Sequence, residues 1–250
     1  MFAKHNLIVP MSAEQQANQD AILTQLCEAE ADAVKSILAR ETTPETLIHV
    51  GENARMFAEE MIKKYRHPNS PPVACKDGCY WCCYQAVQVT VPEVLRITNF
   101  IEVEMDNETR MRVKERLIAL DRRTRGLTPN GRAKLHATCA FLRGGRCAIY
   151  AVRPFSCSEF TSFDVRDCKR GQQIGFKKDS VIHDKARMSI YYAVMEGMTR
   201  GLREHLPQAD TVVLELTSAV SCALESGNAA DQWLAGGRLF SEAHLRADRT

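Results

Sequence analysis

The stretch Cys75-Lys76-Asp77-Gly78-Cys79-Tyr80-Trp81-Cys82-Cys83 puts four thiols into nine residues. Cys139, Cys147, Cys157 and Cys168 answer it downstream, so eight of the ten cysteines form one constellation. A free cysteine ordinarily packs as a small hydrophobe, and its reactivity explains its presence better than its bulk. Crowding of this order points to metal or redox chemistry, and it constrains the fold. The chain is expected to be mainly α, a helical frame around an irregular, metal-stabilised, cysteine-rich core.

The compartment decides how such thiols are read. The N-terminal apolar run, Leu7 to Val9, is too short for a signal-peptide core, and no stretch has the length needed to cross a bilayer. The expectation is a cytoplasmic protein with no membrane role, where clustered cysteines bind metal or act chemically and stable disulfides are rare. With 250 residues and 45% hydrophobic content the chain has enough apolar surface for a sizeable core. Three regions are expected within one compact unit: a helical region over 1–67, the cysteine-cluster metal-binding domain over 68–178, and a second helical region over 179–250.

Helical spacing is evident over 12–40, where Ile22, Leu23, Leu26, Ala33, Val34, Ile37 and Leu38 recur between acidic residues. Cys27 lies on that stripe and reads as a core thiol. Thr43-Pro44-Glu45 signals a second helix start, and Pro68, Pro71 and Pro72 force its end near His67. After Cys83, Val87–Val91 alternates as a short strand. Pro92-Glu93 opens a helix to about Met105, and Asp106-Asn107-Glu108 opens another to about Arg125. Residues 132–178, with Gly144, Gly145, Gly171 and Gly175, read as irregular. A long helix follows from about Ile182 to Leu206, with small residues at 193, 197 and 201 for close packing. Two more, roughly 210–225 and 229–246, are broken at Gly227. Cys222, among Val220, Ala223 and Leu224, reads as structural.

The constellation has the spacing C-x3-C-x2-C-C, then fifty-five residues, then C-x7-C-x9-C-x10-C. Thiolates select zinc and the irons of iron–sulfur clusters. A tight triple with a remote fourth suits a loop wrapping one face of a cluster, whereas structural zinc ribbons tend to use two C-x2-C knuckles. Only Cys79-Tyr80-Trp81-Cys82 is such a knuckle, which favours an iron–sulfur cluster, with zinc as the alternative. Adjacent side chains such as those of Cys82 and Cys83 tend to point apart. One four-thiolate site would leave four thiols spare, so two sites, or one site plus reactive thiols, are both open. The triple also fits the radical S-adenosylmethionine signature, but the alternating strands and helices of such an enzyme are missing.

Cys139-Ala140-Phe141-Leu142, Cys147-Ala148-Ile149-Tyr150 and Arg153-Pro154-Phe155-Ser156-Cys157 resemble the second half of the YkgJ-type cysteine-cluster family. Cys75, Cys79, Cys82 and Cys83 match the first half, and the resemblance covers about 75–165. It implies a zinc- or iron-chelating domain, often labelled an iron–sulfur protein, and a similar cysteine pattern occurs in flagellin lysine methylases. Tyr80 and Ser158 depart from the family's common residues beside the thiols.

His67 and His136 lie near cluster cysteines and read as solvated or hydrogen-bonded imidazoles before they read as ligands. Glu159, Asp164 and Asp167 read as solvated loop carboxylates, since soft-metal sites seldom need hard ligands. Arg153 either neutralises a thiolate-bound centre or pairs with a carboxylate. Trp81, Tyr84, Phe141 and Phe155 are expected to wall the site.

Charge is uneven along the chain, at −7 over Met11–Glu60 and +9 over Arg110–Arg146. The plain reading is that the two regions face each other or form solvated helix faces. Aromatics are not interleaved with the basic residues as a single-strand platform requires, so nucleic acid is not favoured.

Three functions remain in view. The first is a metal-binding protein with an iron–sulfur cluster in a redox, electron-transfer or cluster-handling role. The second is a structural zinc module presenting the basic surface to a partner. The third is a cluster- or dithiol-dependent enzyme modifying another protein.

Overall fold

Apolar periodicity before Pro68 becomes two long helices in the computed structural model, which describes residues 12–176 and 180–248. Helix α1 spans Ala13–Leu38 and is capped by Ser12, whose hydroxyl accepts the Gln15 N–H while the Gln15 side chain accepts the Ser12 N–H. Helix α2, Pro44–Tyr65, starts where Thr43 caps and Pro44 occupies the first turn. The apolar run Leu7–Val9 and the expected region boundary at 178/179 lie outside the described residues.

Helix α3 spans Val91–Asn99 and continues as a π-helical turn, Phe100–Glu104. Helix α4 is Asn107–Thr124, capped by Asp106, and α5 is the short Pro129–Lys134. Further on come α6 (Phe155–Glu159), α7 (Val165–Gln173), α8 (Lys185–His205), α9 (Leu216–Ser226) and α10 (Ala229–Leu234). The fold is mainly helical, with little sheet. None of its described helices is long and apolar enough to cross a membrane.

Helix α1 packs chiefly on α8, and glycine makes the approach possible. A Cβ on Gly197 would stand 2.4 Å from the Cys27 carbonyl oxygen, and one on Gly201 would stand 2.7 Å from that of Ala31. Ala193, Gly197 and Gly201 are thus packing residues, as their spacing predicts. One apolar core joins all three sequence regions. It holds Val34, Leu47 and Val50 from the N-terminal helices, Phe141, Ile149 and Phe155 from the cysteine region, and Val194, Val220 and Trp233 from the C-terminal part.

Several expectations are corrected. The strand predicted over 87–91 shrinks to β1, Gln88–Val89, because Thr90 already caps α3. Its partner is β4, Leu214–Glu215, paired antiparallel as Gln88↔Glu215 and Val89↔Leu214. The helix predicted from 210 therefore begins only at Leu216; a strand partner claims 214–215, and the Glu215 carboxylate caps α9 by accepting the Ser218 N–H. The helix predicted over 229–246 stops at Leu234, where Gly236 takes a left-handed φ of 77° and turns the chain away.

Residues 132–178 also contain more regular structure than expected. Strands β2 (Leu142–Arg143) and β3 (Arg146–Cys147) form a hairpin closed by Gly144 and Gly145, with φ of 54° and 79°. A two-residue hairpin loop requires such positive φ values, and a glycine pair supplies them without steric cost. Helices α6 and α7 then carry Cys157 and Cys168.

The basic residues after Arg110 find partners close by. Arg110 and Lys114 pair with Glu102, Arg112 with Glu108, Arg125 with Asp121 and Arg146 with Asp77. Arg116 donates to the Cys139 and Leu142 carbonyls, and Arg132 to those of Tyr84 and Ala137. Arg116, Arg132 and Arg146 thus tie the basic stretch to the cysteine segments, while the other pairs stay within α4 and its entry.

Candidate metal centre

Backbone hydrogen bonds bring the distant cysteine groups together. The Cys139 N–H donates to the Cys83 carbonyl at 2.7 Å, tying the entry to the hairpin onto the first loop. Within the hairpin Cys147 faces Leu142, the Leu142 N–H donates to the Cys139 carbonyl, and Ala148 N–H donates to the Phe141 carbonyl. On the opposite side Ala74 N–H donates to the Ser162 carbonyl at 2.7 Å, and Ser162 N–H donates to Cys75 Sγ at 3.4 Å.

Cys157 owes its position to a buried carboxylate. Glu93 accepts the N–H and hydroxyl of Thr90 on one oxygen, each at 2.8 Å, and the Phe155 N–H on the other at 2.7 Å. One side chain thus closes the start of α3 and fixes the start of α6, two residues before Cys157. Arg187 holds the other end of α6, donating to the Ser158 carbonyl at 2.9 Å and pairing with Glu59 at 2.8 Å.

All ten cysteines are free thiols, and eight of them share one electrostatic neighbourhood. The neighbouring Cys83 thiol lowers the Cys82 pKa, and the Cys82 thiol, together with burial, raises that of Cys83. Burial, with neighbouring thiols adding to it, pushes Cys139 up to about 12, Cys157 well above its ordinary value and Cys168 up to about 11. Arg153 opposes this at Cys82, Cys147 and Cys157, and Arg132 opposes it at Cys139. The Arg153 guanidinium lies 4.6 Å from the Tyr150 ring centre. Its charge acts both on the thiols and on the Glu59 carboxylate, so both of its predicted roles find support in its surroundings.

Phe141 and Phe155 are buried behind the thiols, while Trp81 and Tyr84 are half-buried. Trp81 is sandwiched from outside by Tyr80, 4.9 Å between ring centres, and by Lys169 at 5.6 Å. His67 and His136 are exposed, and His67 Nδ1 accepts the Asn69 N–H. The three carboxylates are not solvated loop groups as predicted. Asp167 is 4% exposed on α7 and pairs with Arg170 at 2.6 Å, Asp164 caps α7, and burial pushes Glu159 up to about 7. The short helices that carry Cys157 and Cys168 placed them there, and neither α6 nor α7 has an apolar stripe that announces it in the sequence.

Cys27 and Cys222 stand apart from the set. Cys27 is half-buried beside a cavity of about 580 Å³ lined by α1, α8 and Glu159. Cys222 is buried with Arg125 Nη1 3.6 Å from its sulfur. A smaller cavity of about 200 Å³ reaches the thiols, bordered by Cys82, Gln85, Val87, Cys157, Glu159 and Phe160.

Among the described residues, no group of three or more His, Cys, Asp or Glu side chains is drawn in to metal-holding geometry. The metal-stabilised half of the fold expectation is therefore not shown; hydrogen bonds and the apolar core hold the region. The donor chemistry nonetheless fits a soft or borderline ion. Eight unpaired thiols stand with two arginines to offset thiolate charge and an apolar wall to exclude water.

No curated protein and no solved structure matches the chain. Residues 74–181, somewhat under half of the chain and including all eight constellation cysteines, match the CxxCxxCC family model, described as a "Putative zinc- or iron-chelating domain", and this stretch carries that domain.

Proposed function

We propose that the thiolates of Cys75, Cys79, Cys82, Cys83, Cys139, Cys147, Cys157 and Cys168 hold iron–sulfur chemistry, and that the protein serves a redox, electron-transfer or cluster-handling role in the cytoplasm. The observation that carries this reading is the convergence of half-buried thiols from distant segments, joined by the Cys139 N–H to the Cys83 carbonyl and by the Ser162 N–H to Cys75 Sγ, with Arg153 lowering the pKa at Cys82, Cys147 and Cys157. A cluster bound by thiolates carries net negative charge, and its potential responds to nearby cations, burial and solvent exclusion. All three conditions are present, in Arg153, in the Phe141–Phe155 wall and in the limited cavity beside Cys82 and Cys157.

When bound, a cluster of this kind supplies reversible one-electron chemistry. The chain's own contribution is positional. Glu93 and Arg187 fix the two ends of α6 and hence Cys157, the glycine-closed hairpin presents Cys147, and Arg132 buttresses the approach to Cys139. Each of these groups is held from outside the thiol set, so ligand placement does not depend on loop rigidity alone.

Purification without oxygen, followed by iron, acid-labile sulfide and zinc analysis, tests the proposal. The expected result is coloured protein with bound iron and sulfide. Colourless protein with stoichiometric zinc would assign the same thiolates to a structural zinc site.

A further inference from the structure

Three segments meet over the first cysteine loop, and the Tyr80–Trp81 pair is their meeting point. The two rings stack with centres 4.9 Å apart. The hairpin tip comes in from one segment: a Cβ on Gly145 would stand 3.6 Å from the Tyr80 ring, and Arg146 pairs with Asp77 at 3.4 Å. Helix α7 comes in from another, with Lys169 Nζ 5.6 Å from the Trp81 ring centre. Within the loop itself, the Cys79 N–H donates to the Lys76 carbonyl at 3.0 Å, a turn that folds Lys76 back beside the Cys79–Cys82 knuckle.

Exposed cations surround the ring pair. Lys76 and Lys169 are exposed, and neither is in an ion pair among the described residues. Arg146, Arg166 and Arg170 keep side-chain exposures of 75%, 81% and 58%, although each meets an aspartate. One of those aspartates, Asp167, is buried and does not present its charge. The surface excess is positive, and Tyr, Trp and Arg are the residue types that anchor interfaces. The acidic partner is a protein rather than a nucleic acid, for two reasons. Asp77 and Asp164 stand among the cations and would repel a continuous run of backbone phosphates. Trp81 is already engaged by Tyr80 and Lys169, which leaves it poorly placed to stack a base. Carboxylates on a protein are spaced and interrupted, and they match a surface of mixed sign.

Resting on the redox reading above, we propose that this face, centred on Tyr80 and Trp81 and rimmed by Lys76, Arg146 and Lys169, is the docking surface for an acidic electron-transfer protein. The exposed cations steer such a partner to the loop that carries Cys79, Cys82 and Cys83. The ring pair supplies the central contact. A face of this kind suits a transient encounter, since electron-transfer interfaces are small and weak.

The test is binding by the full chain purified without oxygen, with an acidic plant-type ferredoxin as the probe, measured by calorimetry at low and high salt. The expected result is binding at low salt that fades as salt screens the charges. Lys76→Glu together with Lys169→Glu should weaken it about tenfold or more, whereas Arg122→Glu with Arg123→Glu, an equal charge change at the exposed end of α4, should shift it by less than about twofold. Equal weakening by both pairs overturns the assignment to this face. Tighter binding to single-stranded or duplex DNA than to the ferredoxin overturns the protein partner, and no ferredoxin binding at low salt overturns the docking surface. Where a variant fails to fold, carbodiimide cross-linking of the wild-type complex decides. Cross-links from ferredoxin carboxylates should fall on Lys76 and Lys169, and their absence from both overturns the proposal. Iron, sulfide and zinc contents of the same wild-type protein read the metal proposal separately. Protein without metal that still binds the ferredoxin through Lys76 and Lys169 overturns that reading and leaves the surface standing.

Discussion

The helices α1, α2 and α8 and the cysteine region between Ala74 and Phe176 are held by different means. The three helices run to 26, 22 and 21 residues, capped at their starts and packed through an apolar stripe. Apart from α3 and the long α4, the cysteine region is built from two-residue strands and helices of nine residues or fewer. Pieces so short do not hold their shape alone, since helix nucleation is costly and the first turn returns little. They depend on anchors from elsewhere, namely Glu93, Arg116, Arg132 and Arg187, together with whatever the thiols bind. Burial within long helices stabilises one region, whereas the other adds long-range connections to the few core residues it contributes, Phe141, Ile149 and Phe155.

The sharpest way to break that contrast is to strip the proposed metal centre by chelation. Thiolate metal binding contributes on the order of 10 kcal/mol in small structural sites. Chelation should therefore raise the rate of limited proteolysis within residues 74–176 more than tenfold, while the helical circular-dichroism signal largely persists. Equal loss of structure in both regions would show that the frame depends on the centre as well.

The frame has a weakness of its own at Glu30. Its side chain is buried between α1 and α8, with neither carboxyl oxygen hydrogen-bonded among the described residues, and burial pushes its pKa up to about 8. In the unfolded chain the group titrates near 4.5. The folded state therefore holds the proton more tightly, and stability falls as pH rises from about 4.5 to about 8. The loss is on the order of 4 kcal/mol, complete above that window and absent below it. Glu30→Gln should flatten the dependence and raise stability at pH 8, as measured by urea denaturation across the range. An unchanged pH profile would assign the sensitivity elsewhere.

A smaller effect is expected at the glycine contact. Gly197→Ala gains about 1 kcal/mol of helix propensity, but it sets a methyl group against the Cys27 carbonyl and the Glu30 side chain. Overpacking of this kind costs about 1–3 kcal/mol, so a net loss of up to about 2 kcal/mol is expected in denaturation, with metal content unchanged. Loss of metal in this variant would show the two regions to be coupled more closely than their construction implies.

Legibility in the sequence followed the same division. Helices α1, α2, α4 and α8 announce themselves because their caps and apolar spacing are local signals. Thr43-Pro44 and Asp106 sit at the predicted starts, and Gly197 and Gly201 at the predicted close contact. The early part of the last third misled because Val212 and Val213 run into a strand whose partner lies more than a hundred residues earlier. Neither α6 nor α7 carries an apolar stripe long enough to be seen, so Asp167 reads as a loop carboxylate although it is buried against Arg170. That Arg153 acts on Cys82, Cys147 and Cys157 together, and on Glu59 as well, is visible only in the folded chain.

The sequence by itself determined the donor chemistry and the helical frame. Thiol identity and spacing are covalent facts, and helix periodicity is decided within a few turns of chain. Only the tertiary structure decided which thiols are neighbours. That outcome depends on long-range contacts, the Cys83 carbonyl with the Cys139 amide, Ser162 with Cys75, and Glu93 with the start of α6. Such contacts form between segments that share no local pattern, and their partners are selected by packing of the whole core.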